Sequence, residues 1–221
     1  MRHTRLLWIS VLFAVILPSL ALAQSMTVGA KIGGGLSFLN GSDWKDTLDW
    51  YGGDNKVRFG FTMGVFSSFE IVPGFCIQPE IAYSRIGGAY AYTYYEPAIP
   101  ANVNVDGKVT ANALEVPVLL MGQYDAGKGK FRIFAGPELV LILGDIEQKE
   151  KAAGMTVSVD IEPDNHVVLG VKGGIGGTYP LGRGDGVLDL SYTRTITKIF
   201  EDDNTAFNGL LLTAGYQIRI K

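Results

Sequence analysis

The chain has 221 residues, of which 47% are hydrophobic and 19% are charged, and its formal net charge is −3. This hydrophobic, weakly charged composition excludes an intrinsically disordered protein, and the negative charge argues against a nucleic-acid-binding protein. The 29 glycines have no three-residue period, which excludes a collagen, and together with 11 Phe and 10 Tyr they favour an all-β protein.

The first 23 residues have the features of a secretion signal. Arg2 and Arg5 make the start basic, the stretch from Leu6 to Leu17 is almost entirely apolar, and Ala21-Leu22-Ala23 is a small-x-small cleavage site. The apolar stretch is shorter than the roughly 20 residues that a membrane anchor needs. We therefore expect a cleaved Sec-type signal peptide over residues 1–23, followed by one mature domain over residues 24–221.

Alternation of apolar and polar residues predicts eight strands in the mature chain. In chain order they are Thr27–Leu39, Val57–Ile71, Phe75–Ile86, Val109–Tyr124, Lys130–Gly144, Asn165–Tyr179, Val187–Lys198 and Phe207–Lys221. Short turns rich in Gly, Pro or Asp alternate with longer connections over residues 40–56, 87–108, 145–164 and 199–206. An even number of antiparallel strands with this alternation is typical of bacterial outer-membrane barrels.

The direction of the apolar face distinguishes a membrane barrel from a soluble one. In the segment Val57–Ile71, Phe59 and Met63 share one face, and Gly60 and Gly64 share the other. An eight-stranded barrel has an interior just wide enough to be filled by side chains, and the apolar faces of all eight strands would overfill it. We therefore expect the apolar face to point outward, toward lipid.

Three prolines lie inside predicted strands, at Pro79, Pro117 and Pro137. Proline removes a donor from the hydrogen-bond ladder, and a closed barrel has no free edge at which to place it. The sequence therefore predicts β-bulges or strand ends at these positions.

Several short motifs resemble the porin-family (PorT-like) outer-membrane β-barrel domain, over essentially all of residues 25–221. They are Ile77-Gln78-Pro79-Glu80-Ile81-Ala82-Tyr83-Ser84, Leu114-Glu115-Val116-Pro117-Val118-Leu119-Leu120, Ala135-Gly136-Pro137, Leu188-Asp189-Leu190-Ser191-Tyr192 and Ala214-Gly215-Tyr216. The resemblance implies an all-β, eight-stranded antiparallel up-and-down transmembrane barrel in the outer membrane of a Gram-negative bacterium, with a porin-like or structural role. It also implies insertion by the barrel assembly machinery, although the chain ends in Arg219-Ile220-Lys221 and not in the aromatic residue that is common there.

Ten charged residues share the polar, inward parity of the strands. They are Lys31, Arg58, Glu70, Glu80, Glu115, Arg132, Glu138, Lys172, Asp189 and Arg219. Because a buried ion is costly unless it is paired, we expect a structural network of ion pairs that plugs or narrows the lumen. The expected pairs join Glu80, Glu115 and Glu138 to Arg58, Arg132 or Lys172. A gated narrow pore is the functional alternative.

Three cations instead share the outward parity of Tyr83 and Tyr192, near the extracellular ends of their strands: Arg85, Arg194 and Lys198. Such cations can contact lipopolysaccharide phosphates, because charge-assisted contacts to phosphate are strong. The alternative is that they only extend into headgroup water. The sequence thus predicts outer-membrane lipid and lipopolysaccharide as partners and leaves any protein partner open.

No other motif predicts catalysis, a cofactor or a metal site. His166 stands beside Asp164 without a Gly-x-Ser-x-Gly element, and one His and one Cys are too few for zinc. Glycines 173–177 lack the spacing of a phosphate-binding loop. The remaining alternatives are a barrel enzyme acting on lipids and a binding module formed by the acidic surface loops. An interfacial aromatic girdle is expected from Tyr90, Tyr92, Tyr94 and Tyr95.

Overall fold

The computed structural model describes residues 25–96, 101–199 and 204–220. The predicted signal peptide, residues 1–23, lies outside the described residues. Within them the chain forms β1 (Ser25–Gly41), α1 (Ser42–Trp50), β2 (Asp54–Lys56), β3 (Arg58–Val72), β4 (Phe75–Glu96), β5 (Ala101–Ala126), β6 (Gly129–Ala152), β7 (Met155–Ile161), β8 (Val167–Leu181), β9 (Gly184–Thr195) and β10 (Thr205–Ile220).

Eight of these strands close a barrel in which every neighbouring pair is antiparallel. Their order around the ring is β1-β3-β4-β5-β6-β8-β9-β10, and β10 pairs with β1 from Met26↔Ile220 to Gly41↔Thr205. The predicted eight-stranded antiparallel up-and-down barrel is therefore confirmed. We call the end with the tight β3–β4, β5–β6 and β8–β9 turns the turn end, and the opposite end the loop end.

Two of the predicted long connections consist largely of strands. β4, β5 and β6 continue past the barrel wall at the loop end, where β2 adds to β4 and β7 adds to β6. The result is a five-stranded extension, β2-β4-β5-β6-β7. The alternation of the sequence continues into these segments, but their many charged and polar residues gave them the composition of loops.

The outward face of the barrel is apolar. Phe59 is 71% exposed, Ile32 64% and Leu188 55%. Polar residues and glycines occupy many inward positions, as predicted, but buried apolar residues occupy others. Gly176 shows why inward glycines are needed: a Cβ there would lie 2.0 Å from the Asp189 Oδ1 atom.

The three prolines do not produce the predicted bulges. Pro79 pairs with Val118, Pro117 with Glu138 and Pro137 with Val171, and the register is the same on both sides of each proline. The pairing of β3 with β4 is instead interrupted between Phe66↔Glu80 and Phe69↔Ile77, because Pro79 has no N–H to donate to β3. The register shifts lie elsewhere, between Glu70 and Val72 and between Thr110 and Asn112.

A short helix, which the sequence analysis missed, closes the loop end. α1 places Leu48, which is 6% exposed, in the core, and the Trp44 ring meets the Tyr90 ring edge-on at 5.3 Å. Tyr90 is 5% exposed and stacks on Tyr92 inside this cap. The prediction that these tyrosines form an interfacial girdle is therefore wrong for these two. No helix in the described ranges is long and apolar enough to cross a membrane.

Candidate functional site

Seven of the ten predicted inward charges come together inside the barrel. Each is less than 9% exposed, and they arise from six of the eight wall strands: Lys31 on β1, Glu80 on β4, Glu115 on β5, Arg132 and Glu138 on β6, Lys172 on β8, and Asp189 on β9. We call these seven residues the lumen cluster. It contains four carboxylates and three cations, so it is acidic by one charge when every group is ionised.

One half of the lumen cluster is a chain of pairs that runs across the barrel. Arg132 donates from Nε to Asp189 Oδ1 at 3.0 Å and from Nη2 to both Asp189 oxygens at 2.6 Å. Lys31 Nζ lies 3.9 Å from Asp189 Oδ2 and donates to Glu80 Oε1 at 2.6 Å. The same ammonium lies 5.7 Å from the centre of the Phe66 ring. These contacts link β1, β4, β6 and β9 through the interior.

In the other half of the lumen cluster, one cation contacts two carboxylates. Lys172 Nζ lies 3.5 Å from Glu115 Oε2 and 3.5 Å from Glu138 Oε1, and all three side chains are at most 4% exposed. The Thr193 hydroxyl donates a hydrogen bond to Glu138. One ammonium therefore serves two carboxylates, and the contacts tie β5, β6, β8 and β9 together.

The remaining three predicted members lie outside this cluster. Arg58 is at the loop-end start of β3, where it donates to the Ile86 carbonyl at 3.3 Å. Glu70 lies near the turn end and accepts a hydrogen bond from the Ser25 hydroxyl at 2.8 Å. Arg219 is exposed at the same end. Of the predicted pairs, Lys172 contacts Glu115 and Glu138, whereas Glu80 pairs with Lys31 and not with the three cations proposed for it.

An apolar plug fills the barrel on the loop-end side of the lumen cluster. The inward positions that follow Glu138 and Glu115 toward that end hold Val140 and Ala113. They belong to a cluster of twelve buried residues, Leu39, Leu48, Tyr90, Val109, Ala111, Ala113, Val140, Ile142, Ile146, Val168, Ile199 and Phe207. This plug explains why parts of β5 and β6 are apolar on both faces.

A small pocket lies inside the barrel, and a larger one opens at its turn end. A pocket lined by Glu115, Val140, Thr193 and Phe207, where cluster and plug meet, has a volume of only about 20 Å³. This is close to the minimum that a single water molecule needs. A polar pocket of about 210 Å³ opens at the turn end, beside Glu70 and Arg219.

The histidine and the cysteine weighed for catalysis or metal binding lie far from each other, at opposite ends of the barrel. His166 is exposed at the start of β8, with its Nδ1 atom 3.3 Å from the Ile142 carbonyl oxygen. Cys76 is buried inside the barrel near the turn end, in a cluster with Leu119, Met121 and Phe134. Among the residues that the structure describes, no group of three or more His, Cys, Asp or Glu side chains could hold a metal ion.

Of the three cations predicted to face outward, two lie on strands, and Lys198 lies beyond the observed end of β9, which is Thr195. Arg85 on β4, Arg194 on β9 and Lys198 just beyond β9 are all exposed near the loop end. Arg85 lies opposite Asn112 across β5, and Arg194 lies opposite Asn208 across β10.

Comparison with known proteins identifies the family. The sequence profile of the outer membrane protein β-barrel domain matches residues 22–201. The chain belongs to this family. The protein is thus an outer-membrane β-barrel, and the predicted location is confirmed, whereas the match does not confirm the PorT-like porin branch in particular. Among curated proteins, none matches the chain.

Solved barrels resemble this family member at low sequence identity. They include the Ail protein of Yersinia pestis in complex with the heparin analogue sucrose octasulfate, at 15% identity over 88% of this chain and 100% of that chain, with a TM-score of 0.41. Neisserial surface protein A matches at 15% over 88% and 97%, with a TM-score of 0.41. OprG from Pseudomonas aeruginosa matches at 11% over 87% and 95%, with a TM-score of 0.42. No functional conclusion follows from likenesses this distant.

Proposed function

We propose that this protein is a closed, non-conducting and non-enzymatic barrel with a structural role, which anchors the five-stranded extension outside the outer membrane. The observation that supports this most strongly is the filled interior. The lumen cluster occupies the middle of the barrel, and the apolar plug and α1 close it toward the loop end. The loop end is the extracellular end, because the short turns of outer-membrane barrels face the periplasm.

A selective narrow pore would need a path that an ion can follow. Charged rings select ions in channels, but they must contact water on both sides for ions to enter and leave. Here Arg132 and Asp189 are 1% and 2% exposed, and the next layer is apolar. An ion that entered the lumen cluster from the turn end would therefore have to cross the plug without water.

Liposome swelling tests this role. Purified protein is reconstituted at increasing protein-to-lipid ratios, and the influx of small sugars is followed by light scattering. We expect rates equal to those of empty liposomes, while an open porin in parallel liposomes gives rapid swelling. Influx that rises in proportion to the amount of folded protein would contradict the proposal.

A second candidate function, protein binding, is supported by one feature of the extension. β7 pairs only with β6 among the described strands, and one of its faces carries Met155, Val157 and Val159, which are 70%, 60% and 52% exposed. An exposed apolar edge strand can pair with an extended segment of another chain. We propose a strand-forming peptide of a partner protein as its ligand.

Peptide display tests this candidate. Displayed peptides are selected on the purified protein and counter-selected on the double variant Val157→Lys, Val159→Lys. A matched control carries Thr156→Lys and Ser158→Lys on the opposite, polar face of the same strand. Enriched peptides with alternating apolar residues that bind the control but not the counter-selection variant would support it, and failure to enrich any sequence would contradict it.

A further inference from the structure

Two matching arrangements of Tyr, Arg and Asn lie on the outward face at the extracellular end. In each, a Tyr-x-Arg sequence on a rising strand lies beside an Asn on the next strand, and the Tyr hydroxyl donates to the Asn Oδ1 atom, at 2.9 Å in one and 2.7 Å in the other. The members are Tyr83, Arg85 and Asn112 on β4 and β5, and Tyr192, Arg194 and Asn208 on β9 and β10.

The two arrangements lie on opposite sides of the barrel, since three strands separate β4 from β9 in either direction around the ring. Their surroundings differ. Arg85 acts electrostatically on Glu147, whose pKa is lowered mainly by its hydrogen bond from Lys149 and further by this guanidinium. Arg85 thus already has an anionic neighbour within the protein.

Arg194 instead lines a pocket of about 600 Å³ between the end of β9, the start of β10 and α1. Among the residues that the structure describes, the charged side chains that line it are Lys45, Arg194 and Lys198. Asp43, on the first turn of α1, accepts a hydrogen bond from the backbone N–H of Asn204 at 2.8 Å and also interacts electrostatically with Lys198. The described wall of the pocket therefore presents three cations, and the nearby Asp43 offsets part of the charge of Lys198.

The same pocket has an apolar wall. Val171 and Ile196 line it and are 43% and 63% exposed on the outward, lipid-facing side. A cationic pocket that borders the apolar belt matches a ligand with an anionic head and hydrocarbon chains. A free anion would make no contact with the apolar wall, and a neutral lipid would form no ion pair with the three cations.

We propose that this pocket binds a phosphate group of an outer-leaflet glycolipid such as lipopolysaccharide. Arg194, Lys198 and Lys45 hold the phosphate through charge-assisted hydrogen bonds, while Val171 and Ile196 contact the acyl chains. The arrangement around Arg85 is not part of this site, although the sequence grouped Arg85 with Arg194 and Lys198. The proposal does not depend on whether the lumen conducts.

The test uses the full-length mature protein, folded in detergent, and lipid A as the probe. Binding is measured by the rise in melting temperature as lipid A is added, for the wild type and for the triple variant Lys45→Gln, Arg194→Gln, Lys198→Gln. We expect the triple variant to bind about tenfold more weakly or worse, because it loses several contacts to a charged group. Arg85→Gln is the matched control and should bind like the wild type.

Further arms separate the sources of phosphate and the effects of folding. Dephosphorylated lipid A should lose most of the stabilisation of the wild type, and inorganic phosphate should not reproduce it. Arg194→Lys, which retains the charge, should retain more binding than Arg194→Gln, and heat-dependent gel migration verifies that each variant is folded. Equal binding by the wild type and the triple variant, an equal loss in Arg85→Gln, or full protection by inorganic phosphate would each overturn the proposal.

Discussion

Replacement of Arg132 by Met removes the best-bonded cation of the lumen cluster. The guanidinium makes three hydrogen bonds to Asp189, and both side chains are at most 2% exposed. Removing one partner of such a buried pair costs about 3–5 kcal/mol, because the other charge stays buried without compensation. Lys31, 3.9 Å from Asp189 Oδ2, still compensates part of that charge, so we expect the lower part of this range, about 3 kcal/mol.

Urea unfolding in liposomes, followed by tryptophan fluorescence, measures this loss. Arg219→Met is the control, since Arg219 shares the inward parity but is exposed at the turn end, and an exposed substitution should change the free energy of unfolding by less than about 0.5 kcal/mol. The double variant Arg132→Met, Asp189→Asn should cost less than Arg132→Met alone, because no unpaired charge remains. A wild-type midpoint for Arg132→Met would refute the reasoning.

Two further predictions concern the carboxylates and the cap. Glu80→Gln should destabilise the barrel more than Glu138→Gln, because Glu80 is the 2.6 Å partner of Lys31 whereas Glu138 shares a cation with a second carboxylate; the reverse order in urea midpoints would contradict this. Burial, and then the hydrogen bond to Glu150, raise the pKa of Tyr90. The neutral phenol therefore stabilises the folded protein fully below pH 10, which is near the pKa of an unfolded tyrosine. This stabilisation is lost as the pH rises through the higher pKa of the folded protein. Ultraviolet titration should therefore show a late-ionising tyrosine that Tyr90→Phe lacks, and identical titrations of the two proteins would contradict this.

The barrel could be predicted from the sequence because its strongest signal is local. Alternation along each strand fixes which residues face lipid, and turn residues mark the strand ends. The extension could not be separated from loops by composition, since β7 carries polar and charged residues between its apolar ones. α1 left only a weak signal, Trp44 and Leu48 four positions apart after Ser42, and a helix this short depends on packing against the tyrosines of β4.

The lumen cluster was only partly predictable for a related reason. The alternation along a strand predicts whether a charged side chain faces inward or outward, but not how far along the barrel axis it lies. That position depends on the register between strands that are distant in sequence. Arg58 and Arg219 have the inward parity of Arg132, yet they lie at opposite ends of the wall. Likewise, parity grouped Arg85 with Arg194, although Arg194 lies near α1 and the start of β10 whereas Arg85 interacts with Glu147.

Single-channel recording across a planar bilayer tests the closed barrel most directly. The protein is inserted from detergent, its folded state is verified by heat-dependent gel migration of the same sample, and an open porin verifies the sensitivity of the recording. We predict that folded wild-type protein gives no conductance steps at moderate voltage, because the lumen cluster and the apolar plug leave no continuous water path. Stable, repeated steps whose frequency rises with the amount of folded protein would show that the interior opens and would contradict the account.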